Sequence, residues 1–167
     1  MGEGPAHLLG ETVGIGDLAQ NVKLYRAHHP KIMKEKTFLL PGARSTLETL
    51  EASYRLGICS NKPVVYTREL IRHLNIHHYF EIVLGPGEIR KHKPDPEILL
   101  TAMQRMNLTK EQVLYVGDMT IDIQTARAAG VPVWVLPTGS HSREILEGAN
   151  PDRILNGLDE IPALLPD

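Results

Sequence analysis

Four short runs of apolar and β-branched residues alternate along the chain with longer segments in which apolar positions recur at helical spacing. The runs cover residues 57–60, 81–84, 113–116 and 131–136. Alternation of strands with helices is typical of α/β proteins, in which helices cover the faces of a parallel sheet. The pattern therefore predicts a parallel sheet of at least four strands.

Helix ends are predicted from local signals. Ser45 with Glu48 three residues later indicates a capping box, and Asp95 before Pro96 indicates an N-cap and a first-turn proline. Gly57 and Gly130 each follow a helical pattern and suit the left-handed residue that closes a helix. Residues 1–40 differ, because their apolar positions lie in polar sequence without a strand signal, and we expect helical hairpin material there.

The composition favours a single globular domain over a nucleic-acid-binding or membrane protein. The 167 residues are 42% apolar and 23% charged, which favours one globular domain. A formal net charge of −2 gives no basic surface for nucleic acid, and even a four-residue apolar run such as residues 133–136 is far too short to cross a membrane. The N-terminus lacks the pattern of a signal peptide. Because Cys59 is the single cysteine, no internal disulfide can form, and we expect a cytoplasmic protein.

A first group of polar residues follows the first predicted strand. Ser60 and Asn61 precede Lys62 and Pro63, where the next helix begins. The carboxyl ends of parallel strands are where such sheets bind ligands, and the free N–H groups of a helix start bind anions. The group therefore suits phosphate. A serine or asparagine before proline is also an ordinary helix cap, and the local pattern does not decide between the two.

A second group, residues 91–96, places lysines before a capped helix. An ammonium group there can hold a phosphoryl group and neutralise developing charge, and Lys93 is the better candidate. Lys91 fits a solvated basic loop, which is the alternative for the whole group.

A third group follows the most strand-like run of the chain. Gly117 permits a sharp turn, Asp118 projects a carboxylate from the strand end, and Asp122 lies four residues on, on the same helical face. Paired carboxylates suit magnesium, so Asp118 and Asp122 are the candidate metal ligands. A purely structural N-cap at Asp118 is the alternative.

Other residues indicate structure rather than chemistry. The eight histidines show no convincing ligand spacing, and residues 85–87, Gly-Pro-Gly, read as a turn. Cys59 lies within a strand pattern and is expected in the core, and Trp134 is expected to pack in the sheet.

Together, and in this order, the motifs resemble those of haloacid dehalogenase phosphatases, in particular the phosphoglycolate phosphatase-like branch. The motifs are Ser-Asn-Lys-Pro, then Lys-Pro-Asp-Pro, then Val-Gly-Asp with a second Asp four residues on, and finally Ala-Arg-Ala-Ala-Gly. The resemblance covers about residues 40 to 160 and implies a three-layer α/β/α, Rossmann-like core. It implies that Ser60 and Asn61 bind phosphate, that Lys93 stabilises it, that Asp118 ligates Mg²⁺ and that Asp122 supports the metal. Met119 departs from the small polar residue that is frequent there.

The same resemblance draws attention to a missing motif. The family carries an Asp-x-Asp at the end of a central first strand, where the first Asp is the nucleophile, and these 167 residues contain no such pair. We therefore expect residues 1–40 to be a partial helical cap domain and residues 41–167 to be a core without its first strand. Without this first strand, the two strands that end at Ser60 and Val116 have three options. They can pair directly, remain as open edges or receive a strand from another molecule, and we expect self-association.

These inferences lead to two hypotheses about function. The first is a hydrolase of a small phosphate monoester such as phosphoglycolate by descent, truncated and inactive as this chain because it has no attacking carboxylate and holds magnesium weakly or not at all. The second is a non-catalytic module that binds a phosphorylated ligand or a partner chain. The expected ligand is a small phosphorylated metabolite, and neither hypothesis involves nucleic acid or a membrane.

Overall fold

The structure is a computed structural model that describes residues 32–166. Strands and helices alternate through this part of the chain. Residues 32–36 are helical, and the elements that follow are α1 (Ala43–Glu51), β1 (Leu56–Cys59), α2 (Val64–His73), β2 (Phe80–Leu84), α3 (Glu97–Met106), β3 (Tyr115–Gly117), α4 (Thr120–Ala129), β4 (Val133–Val135), α5 (Arg143–Gly148), β5 (Arg153–Ile154) and α6 (Glu160–Leu164). Single turns of 3₁₀ helix precede β2 and β3, at His77–Tyr79 and Lys110–Gln112.

All strand pairs are parallel, as predicted, but the strands form two separate sets. β1 pairs with β2, and β3 pairs with β4, which pairs with β5. Within residues 32–166 no pairing joins β1 to β3. Of the three outcomes considered for these two strands, the structure shows open edges that face a gap.

The four predicted strands are all present, with boundaries shifted by up to two residues. β4 is shorter than its apolar run, which continues into the buried residue Leu136. β5 was not predicted. It is only two residues long, Arg153–Ile154, and its pairing with β4 rather than its own sequence pattern makes it a strand.

Two of the predicted helix boundaries are wrong. α1 begins after Gly42, which has φ 76°, and the Ser45 hydroxyl donates to the Gly42 carbonyl from inside the first turn instead of capping the helix. The helix also ends at Glu51, well before Gly57. Gly57 lies in β1, where an added Cβ would come within 2.7 Å of Ile82 Cγ2. Close packing of strand against strand, not helix termination, explains this glycine.

The other two boundaries are close to the prediction. The Asp95 carboxylate accepts from the Glu97 amide at 3.0 Å, and α3 begins one residue after Pro96. Gly130, with φ 70°, closes α4 in the left-handed conformation as predicted.

The apolar side chains form a core between the helices and both sets of strands. α3 and α4 pack one face, where Ile98, Ile123 and Leu84 are essentially inaccessible to solvent. α1 and α6 pack the opposite face through Leu50 and Ile161. Helices on both faces of parallel strands give the α/β/α layers that the sequence predicts.

The predicted cap domain lies almost entirely outside the described residues, and the division at residue 40 stays a prediction. In residues 32–166 no helix has the length and apolar character needed to cross a membrane.

Candidate active site

The three polar groups meet at the carboxyl ends of the strands. Ser60 directly follows β1, and Asp118 directly follows β3. Lys93 lies in the loop between β2 and α3, and the side chain of Asn61 holds this loop in place. Asn61 Nδ2 donates to the Lys93 carbonyl at 3.2 Å, and Asn61 Oδ1 accepts from the Lys93 amide at 2.9 Å. Asn61 therefore positions Lys93, and direct phosphate binding by Asn61 stays a prediction.

A buried ion pair orients the Lys93 ammonium. Lys93 Nζ donates to Asp122 Oδ1 at 2.6 Å and to the Tyr115 hydroxyl at 3.0 Å. The side chains of Lys93 and Asp122 are only 11% and 3% exposed, so this pair is shielded from water. An ammonium group has three donors, and these two contacts leave one for a ligand.

Asp122 is fully engaged by protein groups. Its second carboxylate oxygen, Oδ2, accepts from the amides of Asp118 and Met119 at 3.1 and 3.0 Å. Gly117 is needed beside it, because an added Cβ would lie 2.7 Å from Oδ2. As placed, Asp122 anchors Lys93 and the turn that carries Asp118, which agrees with support of the site. Direct ligation of a metal by Asp122 stays a prediction.

The carboxyl group of Asp118 lies at the partly buried rim of the site. Burial, together with the nearby Asp122 carboxylate, raises the pKa of Asp118, while Lys93 and His141 act in the opposite direction. The backbone of Gly139 approaches so closely that an added Cβ would lie 2.8 Å from Asp118 Cγ. The side chain is thus held between this backbone and the site, where its charge can face a cation or a phosphoryl group.

The start of α2 differs from the prediction of free N–H groups. The Val64 amide donates to the Pro86 carbonyl at 3.0 Å, and the amides of Tyr66 and Thr67 donate to Pro63. The Lys62 amide donates to Ser60 Oγ at 3.1 Å. These bonds occupy donors that were expected to bind an anion. They also orient the Ser60 hydroxyl, whose own proton can still be donated to a ligand.

Two residues of this network were not predicted. Tyr115 accepts from Lys93, and its hydroxyl lies 3.1 Å from the Cys59 carbonyl and 3.0 Å from Asp122 Oδ1. Burial and the Asp122 charge raise the pKa of Tyr115, which keeps the hydroxyl neutral. His141 Nδ1 accepts from the Thr120 amide at the start of α4. A tyrosine at an inward-facing position of a short strand was a usable signal for Tyr115, whereas nothing local marks His141.

The side chains at the strand ends provide one candidate ligand for magnesium, Asp118. No group of three or more His, Cys, Asp or Glu side chains in residues 32–166 is arranged to hold a metal ion. Magnesium in phosphate-handling sites is commonly held by one or two carboxylates together with substrate phosphates and water. Asp118 fits one such ligand, and the remaining positions would fall to ligand and water.

Cys59 is a core residue, as predicted. It packs against the main apolar cluster, and burial raises the pKa of its thiol to about 12. A thiol of this kind is protonated at neutral pH and is a poor nucleophile.

Comparisons with known proteins agree with the motifs and with the fold. Residues 3–136 match the family model described as haloacid dehalogenase-like hydrolase. The solved structure of a putative haloacid dehalogenase-like hydrolase from Bacteroides fragilis superposes with a TM-score of 0.85 and 31% identity over 96% of this chain and 79% of that one. A predicted phosphoglycolate phosphatase from Haemophilus somnus 129pt superposes with a TM-score of 0.77 and 26% identity over 88% of this chain and 64% of that one.

Curated relatives are similar in sequence but longer. The phosphoglycolate phosphatase of Salmonella typhi is 38% identical over 144 residues, which is 85% of this chain and 57% of that protein. The enzyme of the same name from Escherichia coli K12 is 36% identical over the same shares. The chain thus spans little more than half the length of the curated relatives it matches.

Proposed function

The chain belongs to the haloacid dehalogenase-like hydrolase family, and from this premise we propose that its strand ends form the phosphate-binding part of a phosphatase site for a small phosphate monoester such as phosphoglycolate. The observation that carries the proposal is the Lys93 ammonium, which Asp122 and Tyr115 hold at the strand ends. A buried, oriented cation at this edge suits a dianionic phosphoryl group.

Each residue has a distinct role in this proposal. Lys93 binds a phosphoryl oxygen with its remaining donor, and the Ser60 hydroxyl donates to a second oxygen. Asn61 acts through the backbone of Lys93, to which it is bonded twice. Asp118 holds one position of a magnesium ion, which would neutralise phosphate charge when bound.

The chain as it stands is proposed to bind phosphate without turnover. Aspartyl-phosphate chemistry requires an attacking carboxylate beside the phosphorus atom, and the 167 residues contain no Asp-x-Asp motif to provide the family's pair. The names of the curated relatives support phosphoglycolate as the kind of ligand. The same proposal includes a partial helical cap domain in residues 1–40. It also includes a reducing compartment, which the single cysteine suggests.

Phosphate binding is measured by the unfolding temperature of the full chain in inorganic phosphate and magnesium, compared with chloride at equal ionic strength. A ligand at ten times its Kd stabilises the native state by about 1.4 kcal/mol. This corresponds to an increase of about 3–6 °C for a chain of this size. Lys93→Met is expected to abolish the increase.

Lys91→Met is the matched control, because Lys91 lies two residues away on the surface, where its ammonium pairs with Asp95. The variant should keep the full increase. If phosphate has no effect on the wild type, or an equal effect on both variants, the proposed site is wrong. Lys93-dependent hydrolysis of an aryl phosphate that persists through further purification would contradict the absence of turnover.

A further inference from the structure

The loop between β4 and α5, residues 136–142, runs along the turn that carries Asp118. The Leu136 amide donates to the Gly117 carbonyl at 2.9 Å, which fixes the beginning of the loop to the end of β3. Further along, the backbone of Gly139 is so near that an added Cβ would lie 2.8 Å from Asp118 Cγ and 3.2 Å from the Asp118 carbonyl oxygen. The loop therefore packs against both the carboxyl group and the backbone of Asp118.

His141 adds a hydrogen bond between this loop and the start of α4. Its Nδ1 atom accepts from the Thr120 amide at 3.1 Å. Thr120 is the first residue of α4, and the first amides of a helix have no partner within the helix itself. The residue at the N-cap position is Met119, whose thioether is a weak acceptor, whereas helices usually have an Asp, Asn, Ser or Thr there. The imidazole thus supplies an acceptor nitrogen where the adjoining sequence provides only a thioether.

With this bond, three successive amides of the turn are each held by a side chain. The amides of Asp118 and Met119 donate to Asp122 Oδ2 at 3.1 and 3.0 Å. The Thr120 amide donates to His141 instead. Asp122 holds the turn from within α4, whereas His141 holds it from a loop that is 21 residues from Thr120 along the chain. The position of the turn is thus fixed from two separate segments.

We infer that His141 is a positioning residue: through the Thr120 amide it holds the turn so that the Asp118 carboxyl group is oriented for a magnesium ion and its phosphate ligand. The imidazole acts on the ion only through this turn. A carboxyl group on a turn that is free to move must be ordered when the ion binds, and this ordering weakens the affinity. Removal of a hydrogen-bond partner behind a metal site typically weakens metal binding by about 10–100-fold. The inference rests on the proposed function, because it concerns the magnesium site proposed at Asp118.

The test measures the affinity of the full chain for magnesium chloride at a fixed concentration of inorganic phosphate, from the dependence of the unfolding temperature on magnesium. His141→Leu removes the acceptor and should weaken the affinity for magnesium by at least about tenfold. Asparagine carries its acceptor oxygen on Cγ, the carbon that carries Nδ1 in histidine, so His141→Asn should recover most of the affinity. If His141 only filled space in the loop, the smaller asparagine side chain would not restore magnesium binding.

His73→Leu is the matched control. It makes the same substitution at an exposed histidine at the end of α2, and it should bind magnesium as the wild type does. If the wild type responds neither to phosphate nor to magnesium in its presence, the proposed function is wrong, and this inference with it. If the wild type responds but His141→Leu has the same affinity for magnesium, only the inference is wrong. The same holds if His141→Asn binds magnesium as weakly as His141→Leu.

If His141→Leu does not fold, hydrogen exchange of the wild type decides. Linkage requires magnesium to strengthen the bond between Thr120 and His141 by the same factor by which this bond strengthens magnesium binding. The Thr120 amide should therefore exchange at least about tenfold more slowly in magnesium and phosphate than in phosphate alone. The Gly130 amide, which donates to the Arg127 carbonyl at the other end of α4, is the internal control and should exchange at an unchanged rate. A Thr120 amide that responds to magnesium no more than the Gly130 amide does would overturn the inference.

Discussion

Breaking the buried pair of Lys93 and Asp122 should cost far more stability than breaking an exposed pair such as Lys34–Glu69, because it leaves a buried charge without its partner. Asp122 accepts four hydrogen bonds, from Lys93, Tyr115 and two backbone amides. Asp122→Asn keeps the shape but removes the charge, which leaves the Lys93 ammonium almost buried and without its counter-ion. Breaking a buried pair in this way typically costs about 3–5 kcal/mol. A chain of this size should then unfold about 6–20 °C lower.

Urea unfolding followed by Trp134 fluorescence gives the free energies of a double-mutant cycle. Lys93→Met and Asp122→Asn should each destabilise the protein strongly, and the double variant should cost clearly less than the sum. A coupling of at least about 2 kcal/mol is expected for groups in direct contact. Glu69→Gln provides the control, because the Lys34–Glu69 pair is 2.7 Å apart but more than a third exposed on both sides. Its loss should change stability by less than about 1 kcal/mol.

Two results would refute this reasoning. If the single variants cost no more than Glu69→Gln, the Lys93 ammonium reaches solvent and the pair is not buried in solution. If the double variant costs the sum of the two, the contact between the side chains contributes nothing and each loss has another cause.

Three further predictions concern other buried groups. Thr46 is 5% exposed, and its hydroxyl has no partner among the described residues. Thr46→Val should therefore raise the free energy of unfolding by about 1 kcal/mol. Thr125→Val removes a hydrogen bond of 2.7 Å to the Ile121 carbonyl and should lower the free energy of unfolding. Burial raises the Cys59 pKa from its ordinary value of 9.0 to about 12. The unfolded state therefore loses the thiol proton first, and the free energy of unfolding should fall as pH rises above about 9, by at most about 1.4 kcal/mol per pH unit from this group. In urea titrations between about pH 9 and pH 12, Cys59→Ala should lack this decrease. Gly139→Ala would place a methyl group against the Asp118 carboxylate and should abolish stabilisation by phosphate and magnesium, while Gly148→Ala at the end of α5, where an added Cβ meets nothing within 4 Å, should leave it unchanged.

The strand ends were predictable because they depend on simple sequence patterns. Each of the four apolar runs became a strand, and each polar group that follows one lies at the same edge. In a parallel sheet this edge is shared by construction. Ser60, Lys93 and Asp118 could thus be grouped without knowledge of any distance.

Helix starts and hydrogen-bond roles were less predictable, because they depend on contacts between segments. Ser45 and Glu48 have the spacing of a capping box, yet Gly42 begins the helix, and the Glu48 carboxylate instead lies 3.4 Å from the Tyr79 hydroxyl. From its position after β1, Asn61 is predicted to bind phosphate, and this role stays a prediction. Its partner is the backbone of Lys93, 32 residues away, and no local pattern encodes a bond of that range.

Tyr115 connects the candidate site to the gap in the sheet. Ladder hydrogen bonds hold β1 to β2 and β3 to β4, but across the gap the Tyr115 hydroxyl contacts the Cys59 carbonyl and also receives a hydrogen bond from Lys93. The hydroxyl that orients the Lys93 ammonium is therefore also a contact between the two sets of strands.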